Sequence, residues 1–235
     1  MDDSPATSPR ADVAAVLPAY RCEESVGRVV EGLLRHLERV LVVDDGSDDE
    51  TGRVALESGA RVEYLSENRG KGFALRRGIW LALGLEPRPE AVLLLDADGQ
   101  HDPADVPRFL SRWDVEGPDL IIGARLSDPG NIPPARYWTN YIGSRVLSWM
   151  TGRTLQDSQS GYRLLSARLL EAIPLESDGY AIESEMLIKA AHRGARIAHV
   201  PIRTIYEEEV SHYQPLKDTL RISWWSVYYK AFDEP

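Results

Sequence analysis

Cys22 is the only cysteine among 235 residues, so no intramolecular disulfide can form. No CxxC pair is present and the five histidines are scattered, which removes the ligand spacing of a structural zinc site. No apolar run approaches the roughly 18 residues needed to span a bilayer. Met1 to Asp12 lacks the basic and apolar regions of a signal peptide. Basic residues are the minority: 27 Lys and Arg face 37 Asp and Glu, a formal charge of −10. That balance argues against nucleic acid as a partner and leaves room for a local basic pocket. A Walker A loop is also missing, because Leu65 stands where its first glycine belongs and Gly72 replaces its Ser or Thr. The expectation is a cytoplasmic chain that meets a membrane only peripherally, at its inner face. Local arginines, an aromatic helix or a membrane-bound partner would have to bring it there.

What is present is ordinary globular material, 43% hydrophobic and 27% charged. The length suits one large domain. Residues 1–11 read as a flexible tail and 12–235 as a single domain. Within it, 12–125 is expected to bind a nucleotide, and 126–235 to form an acceptor half that ends in a helix. Apolar runs at Val13–Leu17, Val40–Val43, Arg61–Leu65, Ala91–Leu95 and Leu120–Gly123 read as strands. Helical patterns separate them at Ser25–Leu37, Glu50–Ser58, Lys71–Leu85 and Asp105–Trp113. Strands of this length alternating with amphipathic helices imply βαβ units, hence an α/β three-layer sandwich on a mostly parallel sheet. The runs are continuously apolar, as expected of strands covered on both faces. Further on, the pattern predicts a helix from about Arg136 to Met150, a strand over Gly161–Leu165, a short helix from Ala167 and a helix over Ile182–His192. Arg196–Tyr206 reads as extended, and the tail from Pro215 to Phe232, with Trp224, Trp225, Tyr228 and Tyr229, as a helix.

In an open parallel sheet, ligands bind beyond the carboxyl ends of the strands. Pro18-Ala19-Tyr20, Asp44-Asp45-Gly46-Ser47 and Asp96-Ala97-Asp98-Gly99-Gln100 each follow a strand and should converge on one cleft. A spacing of two on an extended chain would aim Asp96 and Asp98 to the same side, with Gln100 continuing the series. Oxygen donors of this kind suit Mg²⁺ or Mn²⁺ bridging to phosphate. A solvated turn is the plainer alternative. Asp44 and Asp45 could bind a base or ribose, or cap the next helix. Asn68-Arg69-Gly70-Lys71-Gly72 resembles a phosphate-cradling turn at a helix start. Arg125, Arg136, Asn140, Arg163, Arg203 and His212 could surround an anion, with ordinary ion pairing the alternative for each arginine.

Taken in order and with their gaps, Val16-Leu17-Pro18-Ala19-Tyr20, Val42-Val43-Asp44-Asp45-Gly46-Ser47, Asn68-Arg69-Gly70-Lys71-Gly72 and Asp96-Ala97-Asp98-Gly99-Gln100 resemble a family 2 glycosyltransferase of the GT-A (Rossmann-like) fold. Arg136, Asn140, Asp157–Arg163 and Glu183–Glu185 resemble the subgroup of dolichol-phosphate and polyprenyl-phosphate mannose or glucose synthases. The resemblance implies a nucleotide-sugar donor, a GDP- or UDP-sugar. Pro18, Ala19, Tyr20, Glu23 and Asp45 would line its base and ribose, with Lys71 nearby. Asp96, Ala97 and Asp98 would hold ribose and metal diphosphate, with Gln100 a further metal ligand. Arg125, Arg136, Asn140 and Arg163 would meet the sugar or the acceptor phosphate, with Arg203 and His212 further candidates by residue type.

The acceptor decides whether a base is needed. A phosphate monoester, with a second pKa of about 6, is already ionised at neutral pH. A sugar or glycerate hydroxyl needs a carboxylate base, for which Asp157 and Glu183 are candidates beside the catalytic Asp98. A non-catalytic nucleotide-sugar binder is the remaining alternative. A nucleotidyltransferase would need a glycine-rich turn where Pro18-Ala19-Tyr20 stands.

Overall fold

The computed structural model describes residues 8–125, 134–179 and 181–203. The predicted C-terminal helix, its aromatic residues and His212 lie outside them.

The apolar runs become strands β1 (Arg10–Ala19), β2 (Leu37–Asp44), β3 (Arg61–Tyr64), β4 (Ala91–Leu94) and β5 (Leu120–Ala124). Between them lie α1 (Val26–Leu34), α2 (Thr51–Glu57), α3 (Lys71–Leu83) and α4 (Val106–Glu116). Then come α5 (Pro134–Thr151), β6 (Arg163–Ser166), α6 (Ala167–Ala172), α7 (Ala181–His192) and β7 (Ile197–Pro201). β1 begins earlier than its apolar run, inside the stretch read as tail. Arg10 pairs with Asp12 and Asp114, which fixes that end. Helix α1 stops short of Leu37 because that residue opens β2, whose Leu37 is fully buried.

The seven strands form one sheet in the order β3-β2-β1-β4-β6-β5-β7. All neighbours are parallel except those of β6, which runs antiparallel to both β4 and β5. Ala15 of β1 sits opposite Val40 of β2 and Leu93 of β4, so β1 is central and covered on both faces. Its side chains alternate between two cores. Val13, Ala15 and Leu17 pack with Val26, Val29, Val30 and Leu33 of α1 and Phe109 of α4. Ala14 and Val16 pack with Leu75, Ile79 and Ala82 of α3 and with Met186 and Leu187 of α7. Helix α3 lies so close to β1 that a Cβ on Gly78 would stand 2.4 Å from Val16 Cγ1. The result is a mixed α/β three-layer sandwich around a mostly parallel sheet.

Strand order reverses between β1 and β4, with β2 and β3 on one side and the later strands on the other. In open α/β sheets the binding crevice lies at such a switch point, here beyond the carboxyl ends of β1 and β4. The antiparallel direction of β6 delivers its first residue, Arg163, to the same edge.

Candidate active site

Three strand ends meet the crevice. Tyr20, after β1, is 40% exposed and offers an aromatic face there. Pro18, Ala19 and Ala97 are buried and contribute backbone: the Ala19 carbonyl accepts the Asp45 N–H, and the Ala97 carbonyl accepts the Ser25 hydroxyl. Glu23 is exposed and accepts the Glu50 N–H at the start of α2.

At the centre stands Lys71, the first residue of α3. Its Nζ lies 2.7 Å from Asp96 Oδ1 and 2.7 Å from Glu183 Oε1. Glu183 is 112 positions away in sequence and arrives on the first turn of α7. Burial alone would lower the Lys71 pKa, but Asp96 and Glu183 outweigh it and hold the ammonium charged. Burial likewise pushes Asp96 up, and Lys71 overrides this to keep the carboxyl below its usual range. Gly161 closes over the same carboxylate, since a Cβ there would sit 2.4 Å from Asp96 Oδ2. A residue with a side chain could not occupy that position without moving Asp96.

Asp98 does not share this arrangement. β4 ends at Leu94 and the chain turns at residues 97–98, so the extended geometry that would align Asp96 with Asp98 has ended. Asp98 is exposed, and its Oδ1 accepts the Gln100 N–H at 3.0 Å. Among the described residues no three His, Cys, Asp or Glu side chains gather into a metal cage. Oxygen side chains without a cage suit a hard divalent cation that takes its remaining ligands from phosphate. Asp96 is held in its ion pair with Lys71.

The floor beyond β5 is a second charged layer. Arg125 Nε and Nη2 donate to Asp157 Oδ2 and Oδ1 at 2.7 and 3.0 Å, and the Arg125 backbone N–H also reaches Oδ2. Arg125 is 6% exposed and Asp157 not at all. Burial raises the Asp157 pKa, and Arg125 more than reverses it. Arg163 is fully buried and donates to the backbone carbonyls of Ser158, Ser160 and Glu183. Its guanidinium braces the 158–160 loop against α7, so the structure places it as a scaffold rather than at an open anion site. Asn140 is buried on α5. Arg203 is exposed past β7, its N–H bonded to Asp105. The Arg136 side chain lies outside the described residues.

The turn before α3 is not an empty phosphate cradle. The Gly72 and Phe73 N–H groups both donate to the Asp178 carbonyl. The Arg69 and Gly70 N–H groups donate to Asp45 Oδ1 and Oδ2, each at 2.8 Å. Asp45 is 3% exposed and holds this turn, while Asp44 caps the Ser47 N–H, so both carboxylates serve local structure. Gly70, at φ +93°, supplies the left-handed conformation the turn requires. The loop that provides Asp178 is itself pinned by Glu185, which accepts the Glu176 and Ser177 N–H groups.

His101 adds to the site a side chain that the motifs did not mark. His101 is 3% exposed, and burial, then Arg125, lowers its pKa to about 4, so it is neutral at physiological pH. Its ring lies 5.5 Å from that of Tyr162, which stacks on Phe109. A histidine directly after Asp96–Gln100 was the available signal. Cys22, beside the β1 exit, has its thiol pKa pushed up to about 12, chiefly by burial. Iodoacetamide at pH 8 should therefore label native protein at least about a hundredfold more slowly than urea-unfolded protein, because the thiolate is the reacting form. Equal rates by mass spectrometry would contradict this burial.

The sequence profile of Glycosyl transferase family 2 matches residues 14–174, the span holding every strand end described above except that of β7. The chain belongs to that family. An undecaprenyl-phosphate mannosyltransferase of Micrococcus luteus is 36% identical over 211 residues, covering 83% of this chain and 84% of the relative. A UDP-N-acetylglucosamine–dolichyl-phosphate N-acetylglucosaminyltransferase of Methanococcus voltae is 29% identical over 218 residues, covering 82% and 85%. Among solved structures, glucosyl-3-phosphoglycerate synthase of Mycobacterium tuberculosis, in complex with Mn²⁺, UDP-glucose and phosphoglyceric acid, superposes with a TM-score of 0.75. It is 21% identical, and the match covers 96% of this chain and 81% of that one. The likeness bears out the GT-A fold expected from the motifs, and the family makes this chain a glycosyltransferase.

Proposed function

We propose that this family 2 glycosyltransferase moves a hexose from a GDP- or UDP-sugar to a polyprenyl phosphate, with inversion at the anomeric carbon. The observation that carries the choice of acceptor is the state of the two carboxylates a hydroxyl acceptor would need. Asp157 is fully buried against Arg125, with its pKa held down, and Glu183 is paired with Lys71. Asp157, so engaged, is a poor proton acceptor, and the Lys71 ammonium occupies Glu183 Oε1. A phosphate monoester requires none at neutral pH. The named functions of the Micrococcus and Methanococcus relatives support the same reading.

In this reading Tyr20 stacks on the base, while Asp45 orders the turn at one wall of the nucleotide pocket. Lys71 holds Asp96 and Glu183 in place beside the sugar. Asp98, with Gln100, would hold Mg²⁺ or Mn²⁺, which when bound neutralises the diphosphate leaving group. Arg125 and Arg163 shape the floor, and Arg136, Arg203 and His212 are candidates to meet the acceptor phosphate. The protein works at the inner face of a membrane, bound peripherally.

The test is transfer of label from GDP-mannose, UDP-glucose and UDP-N-acetylglucosamine to undecaprenyl or dolichyl phosphate in detergent. A labelled lipid with one donor is expected. No labelled lipid with any donor, or label on 3-phosphoglycerate instead, would overturn the acceptor. In parallel, GDP or UDP with Mn²⁺ should raise the melting temperature. Ligand at about 100 times its Kd contributes about 2.7 kcal/mol. Asp98→Ala should lose the metal-dependent part of that shift; an unchanged shift would remove Asp98 from the metal site.

A further inference from the structure

We infer that the outer face of α5 docks onto an anionic lipid bilayer. The inference rests on the polyprenyl-phosphate reading, which requires the crevice to meet a membrane, but its test uses no acceptor. Helix α5 is amphipathic in the reverse sense. At about 100° per residue, Trp138, Tyr141, Ile142, Arg145, Val146 and Trp149 fall on one side. That side is open to solvent: Trp138 is 58% exposed, Ile142 57% and Trp149 76%. The opposite side carries Asn140, Ser144 and Leu147, all buried. Ser144 Oγ accepts the Ser158 N–H at 2.9 Å there. Polar groups face the protein and aromatic groups face outward, which suits a less polar medium than water.

Charge selects the occupant. Residues 129–156 contain no Asp or Glu, the longest such stretch in a chain of formal charge −10. The same stretch holds Arg136, Arg145 and Arg153. A cationic, acid-free, Trp- and Tyr-bearing helix is matched to anionic headgroups, where aromatic rings settle at the interface and arginines meet phosphate. A second copy would set Arg145 against the same face with its own arginines, which disfavours self-association. The placement is also continuous with the site. α5 seats on the loop that carries Asp157 and leads into Gly161, which closes on Asp96. The helix whose outer face would meet the bilayer is thus the one whose inner face backs the loop beside Asp96.

The experiment is co-sedimentation of the full chain with phosphatidylcholine vesicles, with and without phosphatidylglycerol. Binding is expected to the anionic vesicles and to weaken as salt rises. The double variant W138A/I142A should lose about tenfold in binding, and R145E should weaken it in the anionic vesicles only. Both should keep the wild-type melting temperature and nucleotide affinity. Failure of wild type to bind either vesicle overturns the inference, as does equal binding by W138A/I142A. So does sedimentation velocity showing self-association that the double variant abolishes, which would make this face a contact between copies. Vesicle binding without sugar transfer would sink the proposed acceptor and leave the docking face; transfer in detergent without vesicle binding would do the reverse.

Discussion

Asp157→Ala is expected to lower the unfolding free energy by about 3–5 kcal/mol, because it removes the carboxylate paired with the buried Arg125 guanidinium. Asp157 accepts three hydrogen bonds from Arg125 and one from the Gln159 N–H, and none of its surface reaches water. For a chain of this size the loss corresponds to a fall of about 10 °C in melting temperature. Urea melts followed by circular dichroism measure it. A cost below about 1 kcal/mol would mean that water reaches Arg125. The companion variant removes both charges: R125M/D157L should recover most of the loss, since an apolar pair of similar volume avoids desolvation altogether. Acid provides an independent check. The folded pKa of Asp157 lies below its unfolded value, so its contribution is complete above about pH 4 and is lost as pH falls through the folded pKa. The D157N variant should flatten that acid limb.

Lys71→Met is expected to cut sugar transfer by about 10²–10³-fold, the scale seen when one preorganised electrostatic group is removed. Its Nζ lies 2.7 Å from both the Asp96 and the Glu183 carboxylates. Without it, two carboxylates face each other in a half-buried site, and one must take up a proton. Lys71→Arg should not restore activity, because a planar fork does not replace a point charge held between two oxygens. The pH dependence separates this from simple loss of packing. In wild type the depressed Asp96 pKa gives stability that is present at neutral pH and lost in acid. In the Met variant the shared proton raises a carboxyl pKa, so stability is present in acid and lost as pH rises. The variant should therefore melt closer to wild type at pH 5 than at pH 8. A variant with full turnover would place Lys71 outside the reaction.

The fold was legible wherever chemistry is local. Continuous apolar runs located β1 to β5 within a few residues, because burial on both faces leaves no polar positions to confuse the period. The sequence motifs also marked the strand ends correctly, since ligand-facing residues follow strands in any open sheet. What stayed illegible depends on partners distant in sequence. Nothing near Glu183 announces Lys71. Arg163 and Arg125 look like phosphate binders by residue type, but type does not report burial, and both are consumed by interior acceptors. Asn68–Gly72 looks like a cradle until Asp45 and the Asp178 carbonyl are seen on its amides. Asp96 and Asp98 were aligned only on the premise of an extended chain, which ends two residues too early. The reversed polarity of α5 is likewise hidden from the sequence, because periodicity shows that two faces differ but not which one is inside.

The insertion of β6 between β4 and β5 has a consequence for synthesis. As the chain leaves the ribosome, β5 appears about 40 residues before either of its sheet neighbours, β6 and then β7, exists. Its Leu120-Ile121-Ile122-Gly123-Ala124 segment, fully buried in the finished protein, has both edges open throughout that interval. Such a segment pairs readily with another nascent chain. β6, a strand of only four residues, is what joins β5 and β7 to the four strands β1–β4, since it pairs with β4 on one side and β5 on the other.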